Sequence, residues 1–346
     1  MSASTARGVV VIAAVAALAG LGPLVVGGLR AGADQAGPGE QLLDDARRAA
    51  QEHDFSGIVE VTWSDAAGRH TSDVAVQSAN GVLALGDRPQ VIVEGSRRFV
   101  HAPDGWQTVW GQDVQADVPA ASDKWNLTVR DGPEVAGRTT REVDAADRDD
   151  GRVRERLYLD VSTGLLLRRE QLDRNGRTVR AVGFTSLGEP AGAFFGATPA
   201  DAPRVPQRST SRQPRVLEDV SAPFRAPGTA GDRFRLVGRY DESGNTLHLF
   251  YSDGLFSVSV FEQEGVLDWT GLPSGGQPRT VAGRDARQYR TSGGVVTVWQ
   301  AGDVVYTTVS DAPLDQVDTV LDDFNPSGSP NVLERVTDFV VGPFSW

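Results

Sequence analysis

The stretch LHLFYSDGLFSVSVFEQEG, residues 247–265, decides the fold of the chain. Two apolar runs flank Asp253-Gly254, a pair suited to a two-residue type I′ turn in which both central residues need φ > 0. The segment therefore reads as a β-hairpin. With that turn, Ser252 faces Leu255, Tyr251 faces Phe256, Leu249 faces Val258 and Leu247 faces Val260, so one face is wholly apolar. The other face carries His248, Phe250, Ser252, Leu255, Ser257 and Ser259. A one-residue slip would exchange the two faces, which specifies the register.

Around the hairpin, alternation and turn residues predict strands at 234–240, 246–252, 255–262, 286–291, 295–300 and 304–310. Pro313 then opens a helix over 314–324, with Leu314, Val317, Val320 and Leu321 inward. Upstream, residues 188–228 hold seven prolines and little apolar periodicity, the composition of a linker. Before the linker, a helix over 40–53 precedes strands at 55–63, 73–77, 82–85, 91–94, 98–101 and 106–109. A looser segment through Trp125 follows. Strands resume at 139–143, 154–159, 165–172 and 178–184, with Thr163-Gly164 and Asn175-Gly176 turning the last three. Val135-Ala136-Gly137-Arg138 recurs as Val281-Ala282-Gly283-Arg284, which reads as one turn used twice.

Residues 9–29 carry no charge, follow Arg7 and end near Ala31-Gly32-Ala33. Twenty-one apolar residues would cross about 30 Å of hydrocarbon as a helix, while Ala-x-Ala offers a cleavage site. Signal peptide and uncleaved anchor both stay open for residues 1–33, and either exports the body. The tail, 326–346, places Val332, Val336, Phe339 and Val340 at helical spacing, an amphipathic pattern.

Composition excludes several classes. A net charge of −12 argues against nucleic acid, which requires a basic face, and against simple adsorption to anionic lipid. Without cysteine there is no disulfide, thiol chemistry or lipidated N-terminal cysteine. His53, His70, His101 and His248 are scattered, and no nucleophile elbow, phosphate loop or dinucleotide fingerprint stands between a strand and a helix. The acids Asp144, Asp147, Asp149 and Asp150 lack the spacing of a calcium loop and read as a solvated turn. No cofactor or metal is expected, and no enzyme.

The residues YSDGLFSVSVFEQEG, 251–265, and RLYLDVSTGLLLRREQLDRNGRTVRAVGFTSL, 156–187, resemble the MucB/RseB family, proteins outside the bacterial cytoplasmic membrane that restrain an envelope-stress sigma factor through its membrane-spanning anti-sigma factor. The resemblance spans 40–325, although 70–125 carries no family string. It implies a mainly β (α+β) chain. An N-terminal curved antiparallel half-barrel sheet with a packed helix, similar to the LolA-type lipoprotein carrier fold (40–187), leads through the Pro-rich linker (188–228) to a smaller antiparallel β domain with a C-terminal helix (229–325).

Trp63, Phe99, Trp106, Trp110, Trp125, Tyr158 and Phe184 gather in the first of these domains. Their types fit either an ordinary core or a wall that is apolar inside and wet at its mouth. The resemblance implies the second, a cavity for a lipid or lipoprotein acyl chain. Ten sequestered methylenes at about 0.8 kcal/mol each would give roughly 8 kcal/mol, enough for micromolar binding before costs. The implied partner is the extracytoplasmic segment of an anti-sigma factor, with membrane contact only through an uncleaved N terminus. The rival reading is an envelope lipid or lipoprotein carrier with no sigma-factor role.

Overall fold

The computed structural model describes residues 36–324 apart from 80–81, 87–90, 95–96, 103–104, 111–117, 190–214 and 242–245, and describes the backbone alone at 82, 91–94, 97–102, 105–110 and 215–216. The predicted leader at 1–33, the tail at 326–346 and much of the linker lie outside the described residues. The chain divides into two compact units, one built on residues 36–189 and taking in Asp253–Leu255, the other on 215–252 and 256–324.

In the first unit, helix α1 (Pro38–Glu52) precedes strands β1 (Phe55–Asp65), β2 (Gly68–Ala79), β3 (Val82–Leu85), β4 (Val91–Glu94), β5 (Arg97–Ala102) and β6 (Gly105–Trp110). Strands β7 (Trp125–Asp131), β8 (Thr140–Asp147), β9 (Val153–Asp160), β10 (Leu166–Leu172) and β11 (Thr178–Gly188) follow. All eleven form one open antiparallel sheet, ordered β6-β5-β4-β3-β2-β1-β11-β10-β9-β8-β7. Each strand follows its neighbour by a short turn except at the centre, where β1 pairs with β2 on one side and with β11 on the other. A bulge between Ile58 and Val59 leaves Ser186 opposite Ile58 and Phe184 opposite Val59. Gly57 makes that bulge possible, because a Cβ there would stand 2.1 Å from the Ser186 carbonyl oxygen.

Pro38 in the first turn and the buried stripe Leu43, Ala46 and Ala49 explain α1. Glu40 pins its start, being 1% exposed while its carboxylate accepts the amides of Ala121 (3.2 Å) and Ser122 (2.8 Å) in the 3-10 turn that leads into β7. That carboxylate satisfies two of the turn's orphan donors, as a capping side chain does.

The second unit contains β12 (Arg215–Val216), β13 (Thr229–Ala230), β14 (Phe234–Asp241), β15 (Thr246–Ser252), β16 (Ser257–Glu264), β17 (Gln277–Val281), β18 (Arg284–Thr291), β19 (Gly294–Ala301), β20 (Val304–Ser310) and helix α2 (Leu314–Asp323). The sheet runs β12-β14-β15-β16-β20-β19-β18-β17, with β13 also beside β14. Val317, Val320 and Leu321 of α2 are buried, and the following Phe324 sets its ring edge-on to Tyr251, 5.8 Å between centroids. The helix thus covers the face that carries Tyr251, Tyr306 and Trp299, the last two rings stacked at 5.1 Å. On the opposite face, Leu267 packs with Val296, Val298 and Val305.

The hairpin of β15 and β16 forms, but its turn is not the two-residue one expected. Ser252 pairs with Ser257, Tyr251 with Val258 and Leu249 with Val260, which leaves residues 253–256 as a four-residue loop. Side-chain hydrogen bonds explain the longer turn. Asp253 Oδ1 accepts the Leu255 amide at 3.0 Å, Ser252 Oγ donates to the Phe256 carbonyl at 2.9 Å, and Asp311 takes up the Ser257 amide at 2.7 Å. Gly254 holds φ of +90°. A shift of two residues takes Leu255 and Phe256 into the loop and keeps the remaining strand residues on their predicted faces, yet sets Glu262 opposite Leu247.

The repeated Val-Ala-Gly-Arg segments are one turn twice over. Ala136 and Gly137 have φ of 50° and 74°, and Ala282 and Gly283 have 47° and 79°, both type I′. Alanine in the left-handed region costs about 1–2 kcal/mol. Ala136→Asn and Ala282→Asn are therefore expected to raise stability, by up to about 1 kcal/mol each, whereas Gly57→Ala lowers it by about 1–3 kcal/mol through overpacking at the bulge. Urea denaturation of the three variants checks both signs.

Candidate functional site

Strand alternation sorts the predicted aromatic wall onto two faces of the first sheet. Through the register Val129–Val143–Leu157–Arg169–Val182–Val61, one face collects Trp63 on β1, Phe184 on β11 and Trp125 on β7. Tyr158 stands on the other face, paired with Glu142 on one side and Arg168 on the other. The side chains of Phe99, Trp106 and Trp110 lie outside the described part of the structure.

The three aromatics on the first face differ in environment. Trp125 is fully buried, and its Nε1 donates to Asp253 Oδ2 at 3.1 Å within the first unit. Phe184 is 9% exposed and meets Phe55 edge to face at 5.8 Å. Trp63 is half-buried near the end of the β1–β2 hairpin, with His70 stacked on it at 5.2 Å. His70 Nε2 lies 2.9 Å from Asp65 Oδ1, and the hydrogen bond to His70 holds the Asp65 carboxyl below the usual carboxylate range. Trp63 is thus the partly open member of the set, with an apolar ring and a polar edge.

The same face is not uniformly apolar. Leu157, Val143 and Ala145 are fully buried, but so is an ion pair between Arg169 and Glu155, with Gln171 and Arg180 beside it in register and nearly as enclosed. Sequence alternation had marked these positions as strand and gave no reason to place their charges inward.

The opposite face carries a charge lattice that was not anticipated. One row across the strands reads Arg130, Glu142, Tyr158, Arg168, and the next reads Thr128, Asp144, Arg156, Glu170. Arg130 bridges Glu142 and Asp144 (2.6 Å to the latter), Arg156 reaches Asp144 at 3.3 Å, and Arg168 pairs with Glu170 at 2.7 Å. The hydrogen bond to Glu142 raises the Arg130 pKa. Tyr158 Oη donates to Glu170 at 3.3 Å, and burial with the nearby Glu170 and Glu142 charges pushes its pKa up to about 12, so the phenol stays neutral. The period-two acids Glu142 and Asp144, with Arg156 and the Arg168–Glu170 pair in the strands that follow, were the available signal.

That lattice also corrects the acid cluster. Asp144 belongs to a strand and is 6% exposed, and Asp147 ends the same strand at 5%, so neither lies in a solvated turn. Asp149 and Asp150 do turn the chain, with Asp150 Oδ1 accepting the Arg152 amide at 2.9 Å. Among the described residues no group of three or more His, Cys, Asp or Glu side chains is placed to hold a metal ion. No helix among them is long and apolar enough to cross a membrane.

These features define a mainly antiparallel β protein of two units, each an open sheet with one helix on it, whose candidate site is a sheet face. Residues 78–208 match the MucB/RseB N-terminal domain family, which bears out the resemblance and takes in 78–125, where no family string was legible. No curated protein matches the chain. Among solved structures, MucB in complex with MucA(peri) is 18% identical with a TM-score of 0.42, covering 82% of this chain and 97% of that one. The Pseudomonas aeruginosa MucA/MucB complex is 19% identical with a TM-score of 0.44 and the same coverage. A LolA superfamily protein from Nitrosomonas europaea is 10% identical with a TM-score of 0.20, covering 80% of this chain and 92% of that one.

The two tryptophans separate packing from any surface role. Trp125→Ala is expected to cost about 3–5 kcal/mol, and Trp63→Ala no more than about 1–2 kcal/mol, since its ring is already half in water. Chemical denaturation of both variants, followed by Tyr fluorescence, tests the difference.

Proposed function

We propose that the protein is a non-enzymatic extracytoplasmic regulator that binds the outer segment of an anti-sigma factor and thereby governs release of an envelope-stress sigma factor. The observation that carries this reading is the match of residues 78–208 to the MucB/RseB N-terminal domain. The solved MucB complexes, with MucA as partner, supply the kind of partner to look for.

In this mechanism the bound anti-sigma segment is shielded from proteolysis, and a lipid or lipoprotein acyl chain on the first sheet, against the face of Trp63 and Phe184, removes the shield. Such a ligand acts only if it and the partner favour different states of the protein, because equal affinity for both states shifts nothing. Electrostatics agree with a protein partner and not with nucleic acid, given the net charge of −12.

The test is calorimetric titration of the mature body with the extracytoplasmic segment of the anti-sigma factor encoded nearest to it, with and without a diacylated peptide. Saturable binding that weakens when the acylated peptide is added supports regulator and sensor together. Binding indifferent to the acyl chain leaves the regulator and removes the sensor. Acyl binding with no affinity for any anti-sigma segment would make the protein a carrier.

A further inference from the structure

Glu262 is an unusual residue for its position. It lies on β16 between Leu247 of β15 and Tyr306 of β20, on the face that α2 covers, and it is 0% exposed. Its Oε2 accepts the backbone amide of Arg225 at 2.8 Å, while its Oε1 has no hydrogen-bond partner among the described residues. The charged and titratable groups that act on it directly are Arg225, Tyr251 from β15 and Tyr306 from β20, while Arg239 from β14 and Asp323 at the end of α2 act on Tyr251, and Arg284 from β18 acts on Tyr306. Neither tyrosine supplies charge, since burial raises both phenols.

Arg225 belongs to residues 217–228, a strap lying on the second sheet between β12 and β13. Besides Glu262, the strap is held by Tyr251 Oη donating to the Pro227 carbonyl (2.9 Å), by the Leu236 amide donating to the Gly228 carbonyl (2.9 Å) and by the Leu217 amide donating to the Arg239 carbonyl (3.0 Å). None of its residues is buried, so the strap gives up little burial of its own when it lifts. Glu262, by contrast, is locked in a strand with neighbours on both sides.

We propose that Glu262 is a proton-linked fastener, holding the strap closed while its carboxyl is neutral and loosening it once the carboxyl ionises. A buried carboxylate bonded on one oxygen only must regain water, and moving a thin exposed strap costs less than opening the sheet. Burial raises the Glu262 pKa from 4.5 to about 8, against the weaker opposing pull of the Arg225 amide. The closed form therefore holds a proton that the open form gives up between pH 4.5 and about 8. Through that window closure weakens by about tenfold per pH unit, and above it the dependence levels off. The strap is tight in acid and loose in mild alkali.

Amide hydrogen exchange of the whole protein, read at Arg225 from pH 5 to 9 and compared at each pH with Glu262→Gln, tests this. Taking the variant as reference removes the intrinsic pH dependence of exchange. The expected result is an opening ratio, wild type over variant, that rises about tenfold per pH unit up to pH 8 and then flattens, while Val260 on β16 shows no such rise. A flat ratio at Arg225 overturns the proposal, and so does a parallel rise at Val260, which would mean that the sheet opens and not the strap. If Glu262→Gln does not fold, wild type and Tyr251→Phe are each read against the intrinsic exchange rate of an unstructured peptide at the same pH: the variant removes the hydroxyl clip, and its strap should open more at every pH, with an opening that still rises up to about pH 8 and levels off above it. Loss of that plateau would sink the idea.

Discussion

Antiparallel pairing of β1 with both β2 and β11 is the constraint on which the first unit rests. Every other pairing in that sheet joins neighbours in sequence, and each could form as a local hairpin. Only Ser56↔Gly188 to Trp63↔Arg180 joins the two runs of strands into one surface. A contact across so many residues is slow to close, because the loop entropy is lost before the pairing repays it. Once closed, it sets Val59 against Phe184 and Val61 against Val182, which gives the sheet a continuous apolar middle.

Both units face the same problem and answer it differently. A broad open sheet has two faces and one helix to cover part of one of them, so much of its area needs another partner. The first sheet answers with charge: the Arg130–Glu142–Asp144–Arg156 lattice sets opposite charges against each other across the three strands β7, β8 and β9. Exposed ion pairs contribute little singly, but here the acids are nearly buried and share partners, so that removing one member strands others. The second sheet answers with a loop, which lays Leu267 over Val296, Val298 and Val305.

The legible part of this structure follows from period-two patterning. Residues 82–85, 91–94, 246–252 and 304–310 are strands at the predicted bounds, because alternation and flanking turn residues agree there. Strand β7 escaped notice since Leu127 and Val129 are its sole apolar alternation after Trp125, and β17 because Pro278 interrupts a five-residue run. The β15–β16 turn departs from the expected one for a different reason. Asp-Gly favours a two-residue turn locally, but hydrogen bonds from Ser252 and to Asp311, the latter far away in sequence, outweigh that preference. Of the candidate wall, the grouping of Trp63, Trp125 and Phe184 needed the cross-strand register, which composition does not contain. That Tyr158 stands on the opposite face was hidden for the same reason.

Pro278 has a meaning beyond its cost to strand β17. It sits in the outermost strand of the second sheet, where an unpaired edge would otherwise offer a row of amide donors to any passing extended chain. Proline lacks one of those donors, and the adjoining Arg279 is tied to Asp318 of α2 at 2.7 Å. That end of the sheet is a terminus in the architectural sense: further strands, including those of another copy, find no regular ladder on which to grow.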